Sequence, residues 1–316
     1  MSLTQILSST HFKELKEKLR QDFPRPKISL QGELIAPAKS VNYGIVGTAF
    51  DYLFRFKMEH LHKEKIFSRD GWVADSAIQS IKAQTHEEPK TENDIQFDKK
   101  TSKKEKGEIS AILRAIEMAR AKQFREFYDA AINQYKDAKS NYAAYIETGI
   151  VTNDLIKSSI VLAKLDLYAR AGILDNTINK TDTADIEDLH RLMSIIPEER
   201  FTSQNTIYLN PIFGEGSALF GGADADLIID DTLIDIKTTK HLEIDRAHIN
   251  QLLCYYLASL IGGVNGKPPE HPIKNIGIYF SRYGVLWTIP LWKFGNDFQF
   301  HKFKGWLIKY MEAHWL

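Results

Sequence analysis

Four charged residues lie at alternating positions on either side of a short polar turn. Asp224 and Asp226 precede the turn, and Asp235 and Lys237 follow it, within the segment ADADLIIDDTLIDIKT. The turn itself, Asp230-Asp231, separates two apolar runs, and such a pair favours a two-residue hairpin loop. Carboxylates and a lysine brought together in this way could hold a divalent cation and act on a phosphate group.

A two-residue loop fixes the register of the hairpin. The predicted cross-strand pairs, from the loop outward, are Ile229–Thr232, Leu227–Ile234, Asp226–Asp235 and Asp224–Lys237. Because side chains alternate along a strand, we expect one face to be almost wholly charged and the other to be core, built from Ala225, Leu227, Ile234 and Ile236. A loop of odd length would instead separate Asp226 from Asp235.

Two opposed carboxylates destabilise a sheet unless a third group attracts both. A divalent cation does so, since Mg²⁺ is held by one or two carboxylates together with water and substrate phosphate. Lys237 would then position or activate a water and offset charge on a phosphate oxygen. The alternative is a surface hairpin with solvated carboxylates, which would suffice for an isolated Asp-x-Lys.

A helix predicted over 245–261 follows the hairpin. Gln251 and Tyr255 are four residues apart and therefore share one helix face, while apolar residues supply a buried stripe. We expect Gln251 to hydrogen-bond Lys237 or a water at the metal, and Tyr255 to contact a phosphate or a base. Two half-buried helix residues without a role are the alternative.

The order GGADAD, DIK and QLLCY resembles the RecB-like branch of the PD-(D/E)XK nuclease superfamily. The resemblance implies a restriction-endonuclease-like core, with one or two Mg²⁺ or Mn²⁺ ions bound at Asp226 and Asp235. It also implies that Lys237 assists the attacking water, supported by Gln251 and Tyr255. Asp224 fits the first acidic position as well, through the G-x-x-D form, although Asp226 fits the hairpin register better.

An upstream motif of these nucleases places a histidine or acid four residues after a helical glycine. VGTAFDYLFRF resembles it, with Gly47 as the glycine and Asp51 as a possible further metal ligand; an ordinary exposed helical aspartate is the alternative. Some members of the family carry four cysteines for an iron–sulfur cluster. This chain has the single cysteine Cys254, so it resembles the branch without a cluster.

The distribution of elements predicts an α/β protein in two parts. Residues 1–200 form a mainly helical region with a mobile charged insertion at 84–108, and residues 201–316 form the nuclease core, a mixed central sheet flanked by helices. The first core helix is expected from 45–60 or from 185–196. The predicted helices upstream of the core cover 1–23, 46–61, 110–136, 151–172 and 185–196.

Charge and hydropathy restrict the partners. Basic and acidic residues balance at 41 each, so contacts with nucleic acid have to rest on local groups, for which Lys240, Arg246 and His248 are candidates. His248 is also suited to capping the helix. No apolar stretch is long enough to span a membrane, and we expect a cytoplasmic protein. Without a GxxxxGK[ST] motif, ATP-driven movement on DNA would need a separate helicase subunit.

These observations predict a metal-dependent DNA nuclease, with Mg²⁺ or Mn²⁺ as its cofactor and single- or double-stranded DNA as its substrate. It would act as an exonuclease or an endonuclease in DNA repair, recombination or phage-related DNA processing. The alternative is a nuclease-fold subunit that binds nucleic acid or serves as an adaptor in a larger complex without cleaving.

Overall fold

The chain forms two compact units in a computed structural model. The described residues are 2–68, 71–85, 102–268 and 272–315. The first unit combines Met1–Tyr43, Leu53–Asp70 and Glu187–Leu316, and the second combines Gly44–Tyr52 and Gly71–Ile186. Both units therefore draw on stretches that are distant in sequence.

The second unit is helical. Three of its helices pack against one another: α4 (Val73–Thr85), α5 (Lys103–Thr148) and α6 (Asn153–Ala171). α5 and α6 each end at a glycine in the left-handed conformation, with φ of 69° at Gly149 and 68° at Gly172. Glycine adopts this conformation without a steric penalty, and the predicted helix stop at Gly172 is confirmed.

Most of the predicted mobile insertion, residues 86–101, lies outside the described residues. Its two ends are helical and correct the prediction: Gln84 and Thr85 finish α4, and residues 103–108 open α5. A capping box explains the early start of α5, since the Ser102 side chain accepts from the Glu105 N–H and the Glu105 carboxylate accepts from the Ser102 N–H. Such reciprocal bonds satisfy two N–H groups that the helix leaves unpaired.

The first unit is built on a mixed sheet of six strands within the described ranges. The strands are β1 (Ile66–Ser68), β2 (Ile207–Leu209), β3 (Leu227–Ile229), β4 (Thr232–Lys237), β5 (Asn275–Phe280) and β6 (Val285–Pro290). They lie side by side in sequence order. β1 and β2 are parallel, as are β4 and β5, while the other neighbours are antiparallel. The expected mixed α/β architecture is confirmed.

The hairpin β3–β4 has the predicted register. Ile229 pairs with Thr232 and Leu227 with Ile234, which leaves Asp230 and Asp231 as the loop. Asp230 has φ of 51°, a left-handed conformation that aspartate tolerates better than most residues. The strand begins at Leu227, later than the alternating pattern suggested, so the acidic pair of the first strand lies just before its regular part.

The side chain of Asp230 joins this turn to the chain that leads into β2. Its carboxylate accepts hydrogen bonds from the Ser203 hydroxyl at 2.9 Å and from three successive backbone N–H groups at 2.8–3.0 Å. Burial raises the pKa of this carboxyl group, but the hydrogen bonds outweigh burial and hold the pKa at about 2. The turn is therefore stabilised by an ionised carboxylate.

Helices cover both faces of the sheet. On one face, Ile228, Leu233 and Ile276 of the sheet share a core with four helices. These helices are α1 (Leu3–Ser8), α2 (Lys13–Asp22), α9 (Arg246–Gly262) and α10 (Asp297–Trp315). On the other face Tyr279 of β5 contacts Phe54 of α3 (Tyr43–Leu61) and Phe201, with ring centroids 5.5 and 4.9 Å apart. α7 (Thr183–Ser194) precedes β2 in the sequence.

The single helix predicted over 1–23 is instead two helices, α1 and α2, and this corrects the prediction. Ser9 adopts an extended conformation with ψ of 142° and ends α1. Two short helices with a break between them can each turn apolar residues to the core, and Leu3, Ile6, Leu15 and Leu19 are all fully buried or nearly so. Their packing against the sheet unit outweighs the continuous helical pattern.

A buried ion pair links α7 to the turn after β5. The Arg282 guanidinium donates to both carboxylate oxygens of Asp188, at 2.7 and 2.9 Å, and to the Ala36 carbonyl at 3.1 Å. Both charged side chains are 1% exposed. Removing one partner would leave an uncompensated charge in the interior.

A short helix, α8 (Glu215–Leu219), lies in a region that the sequence predicted to be β-rich. Its backbone contacts that of α9: a Cβ at Gly216 would lie 2.2 Å from the Ala258 carbonyl oxygen, and one at Gly262 would lie 1.9 Å from that of Phe213. Glycine at these positions permits the close approach. The contact holds the chain that leads into β3 against α9.

Among the helices that the structure describes, none is both long enough and apolar enough to cross a lipid bilayer.

Candidate active site

The site forms where the start of β3, the end of β4 and the first turns of α9 meet. β4 and β5 are parallel neighbours and α9 connects them, so α9 crosses the sheet and packs on β4 and β5. Its start is fixed by a capping box in which the Asp245 side chain accepts from the His248 N–H at 2.9 Å. Residues on the first turns of α9 are thereby placed beside the end of β4.

Asp235 and Lys237 form an ion pair on the same face of β4. Lys237 Nζ lies 2.8 Å from Asp235 Oδ2, and the Asp235 side chain is 5% exposed. Apart from this ion pair, Asp235 Oδ2 has no partner among the described residues. A buried carboxylate oxygen with one cationic contact keeps the capacity to coordinate a further positive group.

Asp226 is positioned by the backbone of the neighbouring strands. The Ile236 N–H donates to Asp226 Oδ2 at 2.6 Å, and the Asn210 N–H donates to the Asp226 carbonyl at 2.9 Å. The hairpin register, extended by one pair, sets Asp226 opposite Asp235. Its carboxylate therefore lies across from the Asp235 and Lys237 segment of β4, as the register predicted.

A chain of hydrogen bonds leads from Lys237 into α9. Lys237 Nζ donates to Gln251 Oε1 at 3.0 Å, and Gln251 Nε2 donates to the Tyr255 hydroxyl at 3.0 Å. The predicted contact between Gln251 and Lys237 is present. Because the amide oxygen faces the ammonium group, the amide nitrogen has to face the tyrosine, so the orientation of all three side chains is coupled.

The electrostatics of the site are dominated by carboxylates. Burial lowers the pKa of Lys237, but the negative charge of Asp235, reinforced by Asp226 and Asp245, outweighs burial and raises it. Lys237 is therefore a cation and a donor. Burial raises the pKa of Tyr255 well above its usual value, and Asp235, Asp226 and Asp224 raise it further, so this hydroxyl stays protonated.

The face that carries the acids is not almost wholly charged, which corrects the expectation from the sequence. Ile228 and Leu233 share that face by strand alternation, and both are buried under α9 in the main core. This face of the sheet is covered because α9 crosses it. The charged residues are confined to the open end of the hairpin, beside Gln251 and Tyr255 of α9.

The residues present fit a divalent cation held by two carboxylates. Asp226 and Asp235 are on adjacent strands, and their oxygens can accept more than the contacts described above. Over the described ranges, no group of three or more histidine, cysteine, aspartate or glutamate side chains has the spacing of a metal site. The fit is to a site completed by water and substrate phosphate, as is usual for Mg²⁺.

Asp224, the alternative first ligand, is half-buried and lies two residues before Asp226 in a bridge with Ile212. It acts electrostatically on Tyr255, but it does not join Asp226 and Asp235 in a three-carboxylate group. Asp51 is half-buried in α3 and belongs to the second unit. Its role as a further ligand stays a prediction.

The three predicted DNA contacts have different surroundings. Lys240 is exposed. His248 caps α9, since its Nδ1 accepts from the Asp245 N–H at 3.2 Å, and burial, followed by Lys237, lowers its pKa despite three nearby carboxylates. Arg246 donates to the carbonyls of Phe23 at 2.7 Å and Leu19 at 2.6 Å. Arg246 thus has a structural role, and the phosphate contacts of all three stay predictions.

Sequence reasoning missed two groups that position the site. The carboxylate of Asp230 fixes the hairpin turn through bonds to residues more than twenty positions earlier. Gly216 and Gly262 let the chain before β3 contact α9. The glycines had a signal in the sequence, since Gly214-x-Gly216 and Gly262-Gly263 are both close pairs; the distant partners of Asp230 had none.

Comparison with protein-family models, with curated proteins and with solved structures found no match.

Proposed function

We propose that this protein is a Mg²⁺-dependent deoxyribonuclease with a restriction-endonuclease-like core, of the RecB-like branch of the PD-(D/E)XK superfamily. One observation carries the proposal: a buried carboxylate, Asp235, is ion-paired with Lys237 and lies across a hairpin from Asp226. Two carboxylates facing each other beside a lysine are costly for stability. Binding of a cation and a phosphodiester provides a reason to keep them.

The order of elements supports the core assignment. β2, β3 and β4 form an antiparallel meander, α9 follows, and β5 returns parallel to β4. The proposed ligands and Lys237 lie on the meander, and Gln251 and Tyr255 on the helix. This is the order in which the resemblance places its motifs.

The proposed roles follow from the contacts. Asp226 and Asp235 would hold Mg²⁺ or Mn²⁺, which supplies charge neutralisation at a phosphate oxygen and a lower pKa for the attacking water. Lys237, held as a cation by Asp235, is suited to stabilising negative charge on the phosphate. Gln251 directs Lys237 through its amide oxygen. Tyr255, protonated and 6% exposed, accepts a hydrogen bond from Gln251 and so helps to orient it; donation by its hydroxyl to a phosphate or a base is part of the proposal.

Cleavage of DNA tests the proposal directly. Purified protein is incubated with linear and circular, single- and double-stranded DNA in Mg²⁺, in Mn²⁺ and in EDTA. We expect cleavage that requires the metal and that falls about 100-fold or more in Asp235→Asn, which keeps the side-chain shape but removes the charge. The matched control is Asp129→Asn, an exposed aspartate of α5, which should cleave at the wild-type rate. Identical behaviour of wild type and Asp235→Asn across the panel refutes catalysis at this site.

Calorimetry with Mn²⁺ separates cleavage from binding alone. The proposal predicts a heat of Mn²⁺ binding that Asp226→Asn removes, together with cleavage. Binding heat without cleavage of any substrate in the panel would favour the alternative, a subunit that binds nucleic acid or serves as an adaptor. A separate helicase subunit as partner would be supported by co-purification of an ATPase.

A further inference from the structure

Three arginine side chains meet where α2 ends and α9 begins. Arg20 lies in the last turn of α2, Arg25 follows that helix, and Arg246 is the first residue of α9. Arg246 reaches across to the backbone carbonyls of Leu19 and Phe23. Arg25 reaches in the opposite direction and donates to the Ile244 carbonyl. These crossed contacts hold Arg25 and Arg246 near each other, and Arg20 is close enough to repel Arg246 electrostatically.

The cluster has little negative charge to balance it. Burial, followed by repulsion from Arg20 and Arg25, lowers the pKa of Arg246 to about 10. Among the described residues, no carboxylate contributes to this pKa shift. Cys254 supplies no counter-charge, because burial raises the pKa of its thiol to about 12. Asp22 of α2 is ion-paired with Lys18 at 3.0 Å. Positive groups gathered in this way favour an anion.

Hydrogen-bond donors of the cluster are available for such an anion. Arg20 and Arg25 are exposed. Arg246 lies deeper: its two Nη atoms donate to carbonyls, and its Nε is buried without a hydrogen-bond partner among the described residues. The donors open to an anion are therefore those of Arg20 and Arg25. Guanidinium groups recognise phosphate oxygens through paired N–H donors, which makes phosphate a better match than a simple halide.

The cluster lies close to the proposed active site. Arg246 precedes Gln251 by five residues on α9, which is about 7.5 Å along the helix axis and about 140° around it. Each strand of duplex DNA carries one phosphate per about 3.4 Å of axis. A strand bound at Lys237 that continues around the start of α9 would therefore bring its next few phosphates to the arginines.

We infer that Arg20 and Arg25, with the positive charge of Arg246 behind them, form a binding surface for the phosphate backbone of a nucleic-acid strand, a few phosphates away from the bond that is cleaved. The choice of ligand rests on the proposed nuclease function. Contacts of this kind position the strand without reading its sequence. The surface would therefore strengthen binding equally for all sequences.

Salt-dependent binding tests the inference. The affinity of the full chain for fluorescent oligonucleotides of about 20 nucleotides, single-stranded or duplex, is measured by anisotropy in EDTA from about 50 to 200 mM salt. Removing two phosphate contacts with Arg20→Ala plus Arg25→Ala should weaken binding and make the slope of log K against log salt shallower by about 1.4 for single strands or 1.8 for duplex. The charge-preserving pair Arg20→Lys and Arg25→Lys should keep most of the slope.

Two controls keep the test decisive. Arg114→Ala plus Arg125→Ala removes two exposed arginines of α5 and should leave the slope unchanged. Arg20→Ala alone leaves the crossed contacts intact and should reduce the slope by about 0.7 for single strands, so the inference can be judged even if the double variant is unstable.

The outcomes separate this inference from the nuclease proposal. Cleavage by wild type with no change of slope in the Arg20 and Arg25 variants overturns the arginine surface and leaves the nuclease. Arginine-dependent binding without any cleavage overturns the nuclease and leaves the surface. Absence of DNA binding by wild type, or an equal loss of slope in the α5 control, also overturns the arginine surface.

Discussion

Replacing Asp230 by asparagine isolates the charge that fixes the hairpin turn. Asparagine keeps the size of the side chain and also tolerates the left-handed conformation, φ of 51°. What it removes is the negative charge that four donors contact at 2.8–3.0 Å. A loss of stability in this variant therefore reports the ionised carboxylate rather than backbone strain.

The size of the effect follows from the pKa. The interval between the usual 3.8 and the value of about 2 in the folded chain corresponds to about 2.4 kcal/mol at about 1.36 kcal/mol per pH unit. Solvent reaches part of this carboxylate, and screening reduces the expected cost of Asp230→Asn to about 1–2 kcal/mol at pH 7. Because the folded pKa is the lower one, the stabilisation is full above about pH 4 and disappears as the pH falls through about 2. About half remains at pH 3.

Urea unfolding followed by circular dichroism at pH 7 and pH 3 measures this difference. The free energy of unfolding should differ between wild type and Asp230→Asn at pH 7, and the difference should shrink by about half at pH 3. Asp129→Asn serves as the control and should change stability by less than about 0.5 kcal/mol. A difference that is absent at pH 7, or that is the same at both pH values, would refute the reasoning.

Three other predictions follow from contacts described above. Asp188→Ala should destabilise the protein by about 3–5 kcal/mol in urea unfolding, whereas Asp188→Leu combined with Arg282→Met should cost less, because no charge is left unpaired; a larger loss in the double variant would contradict this. Gly216→Ala should lower the melting temperature, since its Cβ would meet a carbonyl oxygen of α9 at 2.2 Å. In contrast, a Cβ at Gly107 of α5 has nothing within 4 Å, and Gly107→Ala should stabilise the protein by about 0.5–1 kcal/mol. Equal effects of the two substitutions on the melting temperature would show that the close contact is unimportant. Gln251→Leu should reduce Mg²⁺-dependent cleavage about 10- to 100-fold with little change in Mn²⁺ binding heat; unchanged cleavage would remove Gln251 from the site.

The hairpin and the helix after it could be predicted because their signals are local. A two-residue turn and strict alternation fix which residues of β3 and β4 pair, and an Asx cap followed by an apolar stripe defines α9. The same reasoning placed Gln251 near Lys237, and the structure has them 3.0 Å apart. Local rules succeed here because the residues that contact one another are close in the sequence.

The rest depended on contacts between distant parts of the chain. β1 pairs with β2 across about 140 residues, Ile66 with Ile207. No sequence pattern near either strand predicts this pairing. The cover of Ile228 and Leu233 by α9 was missed because alternation describes a strand and not what lies above it. The break between α1 and α2 likewise depends on packing against the core.

The contact between Arg246 and the Phe23 carbonyl spans 223 residues, which has a consequence for synthesis. At about 5–20 residues per second, a ribosome takes about 10–45 seconds to supply α9 after α2 has emerged. During that time the buried side of α2, with Leu15 and Leu19, and the Phe23 that caps the helix have no core to join, although all three are fully buried in the finished fold. A nascent chain therefore presents this apolar surface to chaperones, and a chain that stops before α9 presents it permanently.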